Sequence, residues 1–315
     1  MQYWSISSTY NVFSINQIMG RSSKDKRDIY YRKAKEGGWR ARSAFKLLQV
    51  DEQFEIFDNV TKVVDLCAAP GSWSQVIGHK LSGVANHKIV AVDLQAMAPI
   101  PGVIQVQGDI TKESTIKEIF SHFDDEKVDL VVFDGAPDVT GLHDLDEHLQ
   151  GLLLIGALNI TTFLLKPGGT FVGKIFRSRN VVCLETKFQI FFENVSIAKP
   201  KSSRNSSIES FIVCQNYRPP KDYVPTIMNP FTEITGAQWS DYVSSLSESN
   251  KKVIPFVLCG DVNDPCSDTS YFLDSTESKS VVQGPIAPPY QESMKLQINQ
   301  GRIFVKKHNE TVKET

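Results

Sequence analysis

From about residue 40 to residue 217, short apolar runs alternate with longer amphipathic ones, the rhythm of strands feeding helices. Over Arg40–Phe57, residues Ala44, Phe45, Leu47, Leu48 and Val50 ring most of a helix at about 100° per residue. Lys62 to Cys67 is a β-patterned run, and Ala68, Ala69, Pro70 and Gly71 make a small-residue turn. Ser72 then opens a helix with Trp73, Val76, Ile77 and Leu81 at helical spacing. His87–Leu94, Val103–Ile110 and Val128–Ala136 read as three more strands, with a helix over Thr111–Phe120. A long apolar helix, Leu149–Leu165, stops at LKPGG, where Pro167 and the glycines cannot continue it. Thr170–Phe176, Val195–Pro200 and Ser210–Tyr217 complete seven strands, the last two joined by the polar loop KSSRNSSIE.

Alternating strands and helices predict an α/β, Rossmann-like fold: a mostly parallel seven-stranded sheet flanked by helices. Asp65, Asp93, Asp109 and Asp134 stand at or near the ends of the first four strands. One aspartate there is a turn former; four in series line the carboxyl edge of the sheet as a site would. The crossing at 62–75 is where such a fold places a nucleotide-like ligand, over small residues and a helix N-terminus. Two lysines break the apolar pattern. Lys46 falls between Phe45 and Val50, so it either snorkels to water or serves as a functional amine. Lys174 shares a strand face with Val172 and Phe176, where a buried ammonium needs a carboxylate partner or a lowered pKa.

Composition adds a compartment and a polyanion. At 315 residues, 41% hydrophobic and 22% charged, the chain can bury a sizeable core, and no run of eighteen apolar residues predicts a membrane span. Its five cysteines (67, 183, 214, 259 and 266) are odd in number and form no CxxC pair, as expected of reduced residues in an intracellular, cytoplasmic or nuclear, protein. Residues 1–18 carry no charge and no targeting pattern, and are expected to be a disordered extension, with Met19 a candidate start. The net charge is −2, yet Arg21–Lys46 alone carries +7, with Tyr30, Tyr31, Trp39 and Phe45 interleaved. Cations mixed with aromatics suit a nucleic-acid surface. After Arg218 the chain turns proline-rich, with nine of its fifteen prolines, and reads as an irregular extension with one apolar piece at 253–260.

A dinucleotide is the first ligand to test, but the loop has Gly71 and no GxGxxG. A nucleoside cofactor without a pyrophosphate, S-adenosyl-L-methionine, fits better: Asp93 and Asp109 suit its adenosine, and Asp65 with the glycine loop suits its methionyl end. DLCAAPGSWSQ, DGAPDVTGLHDLDE, LKPGGTFVGKIF and KPKSSRNSSIES together resemble the RrmJ/FtsJ family of RNA 2′-O-ribose methyltransferases. SSKDKRDIYYRKAKEGGWRARSAFKLL resembles its eukaryotic tRNA anticodon-loop branch. The likeness covers roughly residues 19–217, and the tail piece VIPFVLCGD is similar to animal members.

The resemblance implies a class I S-adenosylmethionine-dependent methyltransferase acting on tRNA ribose at positions 32 and 34, with a catalytic tetrad Lys46, Asp134, Lys174 and Glu209. It places the cofactor around Asp65, Gly71, Trp73, Asp93, Asp109 and Asp134. RNA contacts are expected at Lys24, Lys26, Arg27, Arg40, Arg42 and Arg204. A WD-repeat or helical-repeat accessory protein is expected to select the target nucleotide, docking on 218–315; no metal and no membrane are implied. Two departures stand out: KIFRSRNVVCLETKF replaces the family's RGRD-like turn, and Gly173 takes the place of the usual alanine, which is expected to loosen the strand. His143 reads as a polar loop residue. The rivals are a 2′-O-methyltransferase of another RNA, a base methyltransferase, with Asp138 where a nucleophilic cysteine could stand, and a catalytically silent RNA-binding scaffold.

Overall fold

The computed structural model describes residues 28–137, 141–177, 181–226, 245–251 and 290–300. Contacts divide the chain into two units, Met1–Val262 and Asn263–Thr315. Among the described residues the first unit opens with α1 (Ile29–Glu36) and α2 (Ala44–Phe54). Seven strands follow: β1 (Lys62–Leu66), β2 (Lys88–Asp93), β3 (Val103–Gln107), β4 (Val128–Phe133), β5 (Leu165–Phe176), β6 (Phe192–Ala198) and β7 (Glu209–Tyr217). They form one sheet in the order β3-β2-β1-β4-β5-β7-β6, parallel through β1 to β5, with β7 antiparallel to both its neighbours. Parallel neighbours need crossovers. These are α3 (Ser72–Leu81), α4 (Glu113–His122) and α5 (His143–Leu164), while α6 (Val181–Gln189) leads from β5 to β6. Strand order reverses at β1 and β4, which opens a crevice beyond their carboxyl ends.

Side chains alternate across the sheet with a period of two, and both faces are buried over the central strands. Val63, Leu130, Val132, Val172, Phe211 and Val213 pack with Ala44, Leu47 and Val50 of α2 and Trp73, Val76 and Ile77 of α3. On the other face Val64, Leu66, Val131, Phe133, Phe171, Ile175 and Ile212 meet Leu154, Ala157 and Leu158 of α5. Counting by two from Val132, Val172 and Phe211 brings Asp134, Lys174 and Glu209 to the α2 side.

Several boundaries differ from expectation. The helix expected from Arg40 starts at Ala44, and Glu55 ends it in the left-handed region (φ 51°). Helix α5 starts at His143 rather than Leu149, because Asp144 and Asp146 favour a first turn facing the helix dipole. His143 is therefore helical. Strand β5 starts at Leu165 and runs through Pro167-Gly168-Gly169, the sheet absorbing them by a register shift opposite Val128–Leu130 and a positive φ at Gly168. The divergent segment after β5 forms α6, whose Phe188 stacks on Phe171 at 5.3 Å. Gly173 is tightly enclosed: an added Cβ would lie 2.7 Å from the Phe171 ring and 3.0 Å from Leu154. Beyond 217, Arg218 donates its N–H to Phe191, Tyr223 packs edge-on against the Phe191 ring, and Asn250, in α7 (Glu248–Lys251), bonds both the N–H and the carbonyl of Val224. The second unit contributes α8 (Gln291–Asn299), whose Met294, Leu296 and Ile298 are exposed. Among the described residues no helix is long and apolar enough to cross a membrane.

Candidate active site

The loop after β1 turns sharply at Gly71, whose φ of 98° favours a residue without a side chain. Gly71 caps α3, and no side chain caps that helix's first turn. Asp93, leaving β2, accepts the Ala69 N–H at 2.9 Å and the Gln95 N–H at 2.8 Å, which ties its carboxylate to the loop. Asp109 accepts the Thr111 N–H at 2.9 Å and the Thr111 hydroxyl at 2.7 Å through one oxygen. These groups border the crevice at the sheet's switch point.

Two residues expected at the cofactor turn their side chains into the protein. Asp65 is fully buried and accepts the Ser74 hydroxyl at 2.6 Å, so it supports α3 from inside the protein instead of facing the crevice. Its burial, opposed by Ser74 and reinforced by Asp134 and Asp93, pushes its pKa up to about 7. The indole of Trp73 is also buried; it donates to the Ser43 carbonyl at 2.9 Å and leans on Phe211. Only the main chain of Trp73 is left to meet a ligand.

Lys46, Asp134, Lys174 and Glu209 come together in one cluster from α2, the end of β4, β5 and the start of β7. Lys46 Nζ donates to Glu209 Oε1 at 2.5 Å, Lys174 Nζ lies 3.6 Å from the same oxygen, and Lys174 Nζ is 2.7 Å from Asp134 Oδ1. Lys174 also donates to the Asp134 carbonyl at 2.9 Å. The order is Lys46, Glu209, Lys174, Asp134, with charges alternating along the row. Lys46 therefore ends on a carboxylate, not in water, its side chain 12% exposed. Burial alone would depress Lys174, but Asp134 and Glu209 outweigh it and hold the ammonium above the ordinary lysine range. Burial likewise opposes ionisation of Glu209, and Lys46 and Lys174 overcome it, keeping the carboxyl below its usual range. Of the two outcomes open for Lys174, the fold takes the carboxylate partner.

Supporting residues escaped the sequence reading. Ser203 donates its hydroxyl to Glu209 Oε2 at 2.9 Å. Gln150 of α5 donates to the carbonyls of Lys174 at 3.0 Å and Gly135 at 3.1 Å, binding the ends of β4 and β5. Among the described residues no group of His, Cys, Asp and Glu is arranged to hold a metal ion.

The expected RNA contacts divide differently. Lys24, Lys26 and Arg27 lie outside the described residues, as do Asp138 and the apolar piece at 253–260. Arg42 and Arg204 converge on one oxygen of Asp28, and Arg42 also donates to the Ser202 carbonyl. Arg40 donates to the carbonyls of Pro70 and Pro99. The interleaved aromatics are partly committed inside the protein: Tyr30 packs on Phe45 at 5.4 Å, and Trp39 on His79 at 6.2 Å.

Known proteins share this arrangement of sequence and sheet. The chain is 56% identical over 283 residues to tRNA (cytidine(32)/guanosine(34)-2′-O)-methyltransferase of Homo sapiens, covering 88% of this chain and 85% of that protein. It is 48% identical over 286 residues to tRNA (guanosine(34)-2′-O)-methyltransferase of Drosophila melanogaster, covering 87% of each. A crystal structure described as a ribosomal RNA methyltransferase from Plasmodium falciparum superposes with a TM-score of 0.51 at 27% identity, over 57% of this chain and 98% of that one. The model of the FtsJ-like methyltransferase family matches residues 39–217, a span that runs from the turn before α2 to the end of β7 and holds all four clustered charges; the chain belongs to that family.

Proposed function

We propose that this chain is a tRNA 2′-O-ribose methyltransferase, carrying a methyl group from S-adenosylmethionine to the 2′-hydroxyl of anticodon-loop nucleotides 32 and 34. The observation that carries this reading is the row of alternating charges beside the β1/β4 crevice, in a chain whose human relative is named for positions 32 and 34 and whose Drosophila relative is named for position 34. S-adenosylmethionine supplies an electrophilic methyl on a sulfonium that departs with the bonding electron pair. The turn at Gly71, the main chain at Trp73 and the carboxylates Asp93, Asp109 and Asp134 would hold it. A loop with a single glycine and a crevice edged by carboxylates fits a nucleoside better than a pyrophosphate.

Lys174, held as an ammonium, orients the ribose oxygen and by its charge favours loss of the hydroxyl proton. Asp134, 2.7 Å from that ammonium, is placed to take the hydroxyl proton, which becomes strongly acidic only as the bond forms. Glu209, fixed by Lys46 and Ser203, keeps Lys174 charged and oriented. Lys174→Ala should abolish transfer while S-adenosylhomocysteine still binds; near-normal turnover would sink the assignment. Nucleoside mass spectrometry of tRNA from cells lacking the protein should show 2′-O-methyl marks lost at 32 and 34, and unchanged marks would refute the substrate.

Residues 19–217 carry the reaction in this reading, in the cytoplasm, with the basic segment 21–46 toward tRNA. The accessory WD-repeat or helical-repeat protein docks on the C-terminal extension, a reading supported by the exposed apolar side chains of α8. Because residues 218–226 and 245–251 pack within the first unit, the informative deletion is 263–315. It should cost co-purification with the partner and leave cofactor binding intact.

A further inference from the structure

We infer that Arg40 is a positioning residue for the cofactor loop and not a contact to RNA, an inference that rests on the methyltransferase reading above. Its guanidinium forks between two carbonyls: Nη1 donates to Pro70 at 2.9 Å and Nη2 to Pro99 at 2.8 Å. Pro70 belongs to the turn after β1, directly before Gly71, and Pro99 to the loop that follows Asp93 and β2. One planar group thus ties together the two loops that border the crevice. The backbone N–H of Arg40 adds a bond of 2.8 Å to Gln75 Oε1 in α3, and Gln75 Nε2 returns to the Gly38 carbonyl at 3.3 Å.

Gly71 is built around this clamp. A Cβ there would lie 2.9 Å from Arg40 Nη1 and 2.6 Å from Ile100 Cδ1, so the turn closes onto both the guanidinium and the second loop. Beside it, the Ser43 and Ser72 hydroxyls are 2.6 Å apart and the Trp73 indole donates to the Ser43 carbonyl. Residues 38–43 are therefore stitched to the first turn of α3 immediately before α2 delivers Lys46. An ammonium could reach one carbonyl as a point donor, whereas two diverging carbonyls call for a fork.

The test separates cofactor from RNA. With purified full-length protein, S-adenosylhomocysteine binding is measured by calorimetry, and KM is measured separately for S-adenosylmethionine and for tRNA. Losing two charged hydrogen bonds should weaken S-adenosylhomocysteine binding and raise KM for S-adenosylmethionine about tenfold or more in Arg40→Ala. KM for tRNA should stay within about twofold, and Arg40→Lys should recover part of the loss. Should Arg40→Ala fail to fold, the same split is read from Arg40→Lys, which should weaken nucleoside binding and spare tRNA. Weakened tRNA binding with unchanged S-adenosylhomocysteine binding would overturn the inference, as would a variant unchanged in both. A wild-type protein that binds no S-adenosylhomocysteine sinks the functional reading itself; wild-type binding matched by Arg40→Ala sinks only the role given to Arg40.

Discussion

Replacing Asp65 by asparagine tests whether the loop over β1 rests on a carboxyl group that keeps its proton well above the ordinary carboxylate range. Asp65 is fully buried, accepts the Ser74 hydroxyl at 2.6 Å, and has its pKa raised from an ordinary 3.8 to about 7, chiefly by burial. The folded state then binds more protons than the unfolded state between those two values. Stability from this group is full below the lower value and is lost as pH rises through the upper one. A separation of about three pH units, at about 1.4 kcal/mol each, is worth on the order of 4 kcal/mol. Asparagine keeps the shape and an acceptor for Ser74 but does not titrate. Urea unfolding of wild type and Asp65→Asn between about pH 4 and pH 8.5 gives a difference in which the other groups largely cancel. The variant should match wild type at the acid end and gain on it by about 1 kcal/mol per pH unit. The gain should level off above neutrality. A difference that stays flat across that range would show Asp65 ionised throughout, and would refute the argument from burial.

Two further experiments probe the neighbouring charges and packing. In a double-mutant cycle of Lys46→Met and Glu209→Gln, unfolding free energies should show a coupling of about 1–3 kcal/mol, because each single change takes a charged partner from a mostly buried charge; additivity within about 0.5 kcal/mol would make the pair energetically idle. Restoring alanine as Gly173→Ala should destabilise this protein by about 1–3 kcal/mol in the same assay, since Phe171 and Leu154 fill the space of the missing Cβ; a stabilised variant would mean that the glycine loosens the strand after all.

The sheet was legible because a doubly covered parallel sheet leaves a plain trace: apolar runs of strand length, each ending in a turn former. Its faces were legible as well, since a period of two needs only counting, and Lys174 stood out against Val172 by that count alone. Element ends were not. The first turn of α5, His143 to His148, has the polar composition of a loop, and only the helix dipole distinguishes its acids from those of a turn. Strand β5 keeps its pairing with β4 on either side of its own Pro-Gly-Gly, Leu165 opposite Val128 and Thr170 opposite Leu130, with residues 166–169 bulged out between them.

Charge partners are the part that no local pattern encodes. Arg40 and Arg42 sit two residues apart in one basic run, and composition treats them alike. The fold sends Arg40 to Pro70 and Pro99, 30 and 59 residues away, and Arg42 to Asp28 and Ser202, 14 and 160 away. A basic count therefore overstates the charge available to a polyanion, because some of those cations are already holding loops. The same limit applies to Lys174, for which the sequence left open a neutral amine and a paired ammonium. Glu209 lies 2.5 Å from Lys46 but 3.6 Å from Lys174, so Asp134, at 2.7 Å, is the nearer partner of Lys174. An ammonium with a carboxylate on each side gains more from charge than it loses by burial, so the proton stays on nitrogen. In the proposed reaction, activation of the hydroxyl then falls to a fixed positive charge beside the oxygen, and the carboxylate next to that charge becomes the group to which the proton can go.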